Sequence, residues 1–283
     1  MKVATIRTDA GLRAARVDGE DLVLLPFEHV GALVAAGEDW ADRAAAGDGA
    51  HVALAGADFA PLTPMPEKVF CVGLNYRDHA AEGGLALPDY PVLFAKYGRS
   101  LIGADDDLVI PAASRQVDWE VELGVVIGRA ARHVSEADAE SYVAGYTIVN
   151  DVSMRDWQLR TSQFLAGKTF ESSTPVGPFL VTPDEVDLAH GLRMELAVDG
   201  EVKQRASTDQ MIFSVAQVIS YISTIITLVP GDLIATGTPA GVGHVATPPA
   251  YLTDGAVMTC SIEGLGTQTT RCVPVTDGVT AAA

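Results

Sequence analysis

VDWEVELGVVIG, residues 117–128, decides how the chain is read, because its three acids recur at every second position of an otherwise apolar run. Asp118, Glu120 and Glu122 share one parity, while Val121, Leu123, Val125 and Ile127 share the other. Alternate side chains of a strand project to one face, so a strand here aims three carboxylates the same way. Held together away from water they would repel and resist ionising, which demands a counter-cation or full hydration. A solvated edge-strand face explains this segment equally well when it is taken alone. Downstream, AGYTIVNDVSMRDWQ (144–158) stops an apolar strand abruptly at Asn150 and Asp151. An acid at that strand end completes, with Glu120 and Glu122, an all-oxygen set suited to Mg2+, Mn2+ or Ca2+. No His or Cys lies near these acids in the sequence, which disfavours zinc.

Around this segment, Gly, Pro and Asp punctuate a series of short β-branched runs that begins at Val69: VFCVGLN, PVLFAK, DLVIP, AGYTIVND, PFLVT, RMELAVDGE and DLIATG. They predict a mostly β (α+β) domain built on a bent or rolled mixed sheet. Residues 1 to about 60 read as a small strand-plus-helix unit. The segment APLTPMPEK (60–68), with three prolines, reads as a connector. The expected division is a small N-terminal α/β appendage and connector over 1–66 and a main domain over 67–283. In SVAQVISYISTIITLV (214–229), Val215, Val218, Ile219, Ile222 and Ile226 fall at helical spacing, predicting a core-facing helix too short to span a bilayer. The final TDGVTAAA reads as a frayed tail.

The chain has 283 residues, 48% of them hydrophobic, which suffices for a full core. A net charge of -18 repels phosphate backbones and anionic lipid, so neither nucleic acid nor membrane is an expected partner. An anionic substrate stays admissible where a metal or a basic cluster reverses the local field. The start shows no apolar stretch of a signal peptide, and three scattered cysteines suggest buried thiols in a reducing compartment. A cytoplasmic location is expected.

Two further segments bear on chemistry. In VGLNYRDHAAEGG (72–84), Asn75 or Asp78 could cap a short helix that makes His79 and Glu82 neighbours. A glutamate on one imidazole nitrogen fixes the tautomer and makes the other nitrogen a better base toward water. An incidental ion pair on an exposed helix fits the same spacing. Gly83 and Gly84 suit a hinge for a lid over residues 83–92. In TGTPAGVGH (236–244), glycines lack dinucleotide spacing and predict a tight loop whose N–H groups approach a ligand. The sequence GKT at 167–169 is no phosphate loop, because position 162, where such a loop needs glycine, is Ser.

Seven collinear stretches between residues 67 and 245 resemble the fumarylacetoacetate hydrolase family, in its small acylpyruvase-like branch. They are GLNYRDHAAE, PVLFAKYGRSLIG, VDWEVELGVVIG, NDVSMRDWQ, GKTF, STDQMIFSVAQVISYIS and TLVPGDLIATGTPAGVG. The resemblance implies a mixed β-roll, a homodimer and a Mg2+ or Mn2+ ion held by Glu120, Glu122 and Asp151. It implies a catalytic group of His79, Glu82 and Lys168, with Lys96, Arg155, Gln158, Thr238 and Tyr76 at substrate-binding positions. Asp118 matches no general ligand and is expected as a supporting or surface group. Val72 stands where the larger fumarylacetoacetases carry another acid, which argues against fumarylacetoacetate itself. The implied reaction is hydrolysis of a C–C bond in acylpyruvate-type 2,4-diketo acids, with water activated by the His–Glu pair and pyruvate leaving as its enolate. The alternatives are oxaloacetate decarboxylation, hydration or isomerisation of a related 2-keto acid, and a non-enzymatic metal-binding scaffold.

Overall fold

The computed structural model describes residues 1–275; the expected tail over 276–283 lies outside the described residues. The chain is mostly β, as expected, and its central feature is an eleven-stranded mixed sheet. At the centre Val121–Ile127 pairs antiparallel with both Val143–Asn150 and Leu233–Ala235. Leu233–Ala235 continues in parallel to Val69–Gly73, which pairs with Val92–Lys96 at one edge. On the other side Thr174–Val181 follows Val143–Asn150. Strands Lys2–Thr8, Gly11–Asp18, Asp21–Leu24 and His51–Ala53 then extend the same sheet. The N-terminal segment is thus hydrogen-bonded into the main sheet through Lys2 and Val3 opposite Val181 and Leu180.

A second sheet, ordered Glu201–Ser207, Arg193–Val198, Val257–Ile262, Gly266–Pro274 and Leu108–Ile110, covers the first. Leu123, Val125 and Ile148 from the main sheet meet Leu196, Met258 and Cys260 in the largest apolar cluster. The opposite face of the main sheet is covered by the helices Val30–Ala35 and Trp40–Ala45. Central strands covered on both faces lose the inside-outside alternation of a half-wet sheet, and every residue of Val121–Ile127 and Val143–Asn150 is buried.

The expected core helix forms over Val215–Ile225, started by a capping box between Ser214 and Gln217. Val215, Val218, Ile219 and Ile222 are buried, whereas Ile226 lies past the helix end and is exposed. All three cysteines are buried free thiols. Among the described residues, no helix is long and apolar enough to cross a membrane.

One expectation fails at the segment that set the reading. Residues 117–128 are not a continuous strand: Val117–Asp118 pairs with Ser153–Met154 in a separate ribbon, and Trp119 and Glu120 lie between the two pieces. The reason is local. The Glu120 N–H donates to the Asn150 side-chain oxygen at 3.0 Å and the Val121 N–H to that of Gln204 at 2.9 Å, so side-chain amides replace the ladder.

Candidate metal centre

The break bends the acid stripe around a corner. Glu120 is fastened to the end of the neighbouring strand twice, through Asn150 and through its own carbonyl, which accepts the Asp151 N–H at 2.8 Å. Glu122 remains on the central strand. Carboxylate oxygens of Glu120, Glu122 and Asp151 then lie within 4.8 Å of one another, all three residues buried. Asp118 turns the other way. It is fully buried, not a surface group, and its Oδ2 accepts from Arg155 Nε at 2.8 Å.

Buried acids require partners, and most of these have them. Lys168 donates to Glu120 and to Asp151, each at 2.7 Å. Lys96 reaches Asp151 from behind at 2.6 Å and also donates to the Val152 carbonyl. An Arg155 terminal nitrogen lies 2.6 Å from Glu120 as an ion pair. Burial would raise the Glu120 carboxyl, but Lys168 and Arg155 outweigh it and hold the group well below the usual carboxylate range. Burial would likewise lower the Lys168 ammonium, and Asp151 and Glu120 reverse that shift, so it stays charged.

Glu122 differs. It has no cation of its own; its Oε2 accepts the Gly237 N–H at 2.8 Å. Burial, then Asp151 and Glu120, push its carboxyl well above the ordinary value. Around the corner four buried acids (Asp118, Glu120, Glu122, Asp151) face three buried cations (Lys96, Arg155, Lys168). One negative charge is left over, and it falls on the acid set with all-oxygen donors. The donor chemistry and the uncompensated charge together fit a hard divalent cation.

These groups open onto a cavity of about 190 Å³. His79, Glu120, Glu122, Arg155, Gln158, Lys168 and Thr238 reach its wall, so seven of the eleven expected site residues converge there. Asp151 and Lys96 sit behind that wall, joined to it through Lys168. Glu82 stands one helical turn from His79, with Oε2 3.4 Å from Nδ1, and both of its oxygens accept from the Gly241 N–H. Tyr76 does not reach the cavity: it is fully buried, and its hydroxyl meets the Met194 sulfur at 3.2 Å. Nor does Asn75 or Asp78 cap the helix Arg77–Glu82, whose N-cap is Tyr76. Asn75 instead ties three segments together, through the Thr236 and Phe213 carbonyls and the Phe213 N–H.

The glycine loop is used differently from expected. Its N–H groups go to the site's own acids: Gly237 to Glu122, Gly241 to Glu82, and Gly243 and His244 to Asp118. Leu85, Phe94, Leu159 and Phe164 form much of the apolar wall, with Val72 also lining it. Sequence reasoning missed His244 and Gln204. His244 lines the cavity, and Gln204 bridges Val121, Thr238 and Pro239. Gln204 lies in no recognisable spacing, and His244 closes the stretch TGTPAGVGH, in which the glycines alone drew the reading.

The family described as Fumarylacetoacetate (FAA) hydrolase C-terminal matches residues 68–273. A rat protein named oxaloacetate tautomerase Fahd2a, mitochondrial, is 46% identical over 208 residues, covering 73% of this chain and 66% of that one. The chain thus spans just under two thirds of that relative's length. A 2-hydroxyhepta-2,4-diene-1,7-dioate isomerase from Mycobacterium marinum matches with a TM-score of 0.79 and 32% identity, over 98% of this chain and 100% of that one. A maleylpyruvate hydrolase from Sphingobium sp. SYK-6, solved with manganese(II) and pyruvate, matches with a TM-score of 0.80 and 27% identity, over 98% of this chain and 100% of that one.

Proposed function

Because the chain belongs to the fumarylacetoacetate hydrolase family, we propose that it is a divalent-metal-dependent enzyme interconverting the keto and enol forms of a small 2-keto acid of the oxaloacetate type. The observation that carries this reading is the cluster of three buried carboxylates, one of them without a counter-charge and two of them at the wall of a small cavity that Arg155, Lys168 and His79 also line. The name of the rat relative supports the choice of tautomerisation.

Glu120, Glu122 and Asp151 would hold Mg2+ or Mn2+, which supplies Lewis acidity toward the 2-keto oxygen. Arg155, fixed through Nε by Asp118 and through Nη1 by Gln158, presents a cation to the substrate carboxylate. Lys168 spends two of its three N–H groups on Glu120 and Asp151, leaving one for the oxygen on which charge develops. His79 is the uncommitted base at the wall; it takes the proton from the carbon next to the keto group and returns it to oxygen.

A second reading is favoured by the His79–Glu82 contact: with a 2,4-diketo acid bound, the same histidine would activate water for C–C cleavage. Simultaneous recording of keto–enol conversion and pyruvate release separates the two. With oxaloacetate and Mg2+ or Mn2+, the expected result is catalysed tautomerisation far faster than pyruvate release, and its loss in Glu122→Ala. Pyruvate release from acetylpyruvate outrunning oxaloacetate tautomerisation would transfer the assignment to hydrolysis.

A further inference from the structure

His244 is the titratable side chain at the cavity wall to which the chemistry above gives no role. Its backbone N–H donates to Asp118 Oδ2 at 2.9 Å, the same oxygen that takes Arg155 Nε at 2.8 Å. One buried carboxylate oxygen therefore sets the distance between the His244 backbone and the guanidinium. The ring is anchored as well: Nδ1 lies 3.0 Å from the Tyr251 hydroxyl, and Nε2 has no protein partner among the described residues. The same cavity is lined by the apolar side chains Leu85, Leu159, Val242 and Val245. A substrate with one carboxylate satisfies its charge at Arg155. A second carboxylate drawn out of water into that cavity needs its own donor.

We propose that His244 is a specificity-determining residue whose Nε2–H donates to the second carboxylate of a dicarboxylic 2-keto acid. The Tyr251 hydroxyl, donating to Nδ1, places the proton on Nε2 and positions the ring. The proposal deepens the 2-keto acid reading and rests on it. The backbone bonds to Asp118 do not depend on the side chain, so truncating it leaves the loop anchored.

The test is calorimetric binding to the Mg2+-loaded protein with two probes, 2-oxoglutarate and 2-oxovalerate, which differ only in the terminal carboxylate. His244→Ala is expected to weaken 2-oxoglutarate by about tenfold and 2-oxovalerate by less than about twofold. Tyr251→Phe should give a smaller loss with the same selectivity, and His244→Gln, which restores an N–H donor, should recover part of it. Equal loss for both probes, or none for either, overturns the role of His244 while leaving the 2-keto acid reading in place. Failure of the Mg2+-loaded wild-type protein to bind either probe overturns both.

Discussion

Asp118 shows how much a single buried residue can settle. Both of its oxygens are committed: Oδ1 to the N–H groups of Trp119 and Gly243, Oδ2 to Arg155 Nε and the His244 N–H. Removing this carboxylate orphans four donors and leaves a buried guanidinium with Glu120 as its remaining acidic partner. Asp118→Ala is expected to cost about 3 kcal/mol of stability, read as a lowered urea midpoint at unchanged slope. It should also raise KM for the 2-keto acid more than it lowers kcat, because Arg155 loses its orientation; an unchanged KM would remove Asp118 from substrate positioning. The residue's importance was hidden in the sequence. Its partners lie 37 and 125 positions away, whereas Glu120, Glu122 and Asp151 sit in short windows with a recognisable spacing. What spacing could not supply was the set of counter-charges: Lys96 reaches Asp151 across 55 positions.

At the scale of elements, the same contrast separates what periodicity reveals from what hydrogen bonding rearranges. The helix Val215–Ile225 was readable because a one-sided apolar stripe is a local signal. The strand Glu201–Ser207 was not, since EVKQRAS has a mostly solvated outer side and no apolar run. The break at Trp119 and Glu120 was invisible for another reason: it arises from amide side chains 30 and 83 positions away competing with the ladder. The loop 236–244 was correctly read as tight, but its donors serve the protein's own acids. Gly237 is the critical point. It adopts φ +101°, and a Cβ there would meet the Asn75 Cβ at 2.7 Å and the Val72 carbonyl oxygen at 2.9 Å. Gly237→Ala must therefore either strain the backbone or move the N–H away from Glu122. A stability loss of about 2 kcal/mol or more is expected, together with weaker Mg2+ binding by calorimetry, from conformational strain and displaced packing. Wild-type Mg2+ affinity in a folded Gly237→Ala protein would mean that the loop does not set the position of Glu122.

For the whole molecule the decisive quantity is charge. A chain of net charge -18 concentrates one surplus negative charge at a corner beside its central strands, on buried side chains at a cavity. Glu122 meets that surplus by holding a proton more tightly than an ordinary carboxyl, and a divalent ion would replace the proton with a stronger partner. Because Glu120, Glu122 and Asp151 converge only when the central strands pair, an ion held by them would bind the folded chain and not the unfolded one. Linkage then turns affinity into stability, with about 2.7 kcal/mol expected at a free Mg2+ or Mn2+ concentration one hundred times Kd. For a chain of this size that corresponds to a rise in Tm of roughly 4 to 5 °C. The shift should reverse on chelation and shrink to near zero in Glu122→Gln, which keeps the side chain's shape but removes a ligand charge. A comparable shift in Glu122→Gln, or none in the wild-type protein at millimolar metal, would mean that Lys168 alone neutralises the set and that no ion is held at this corner.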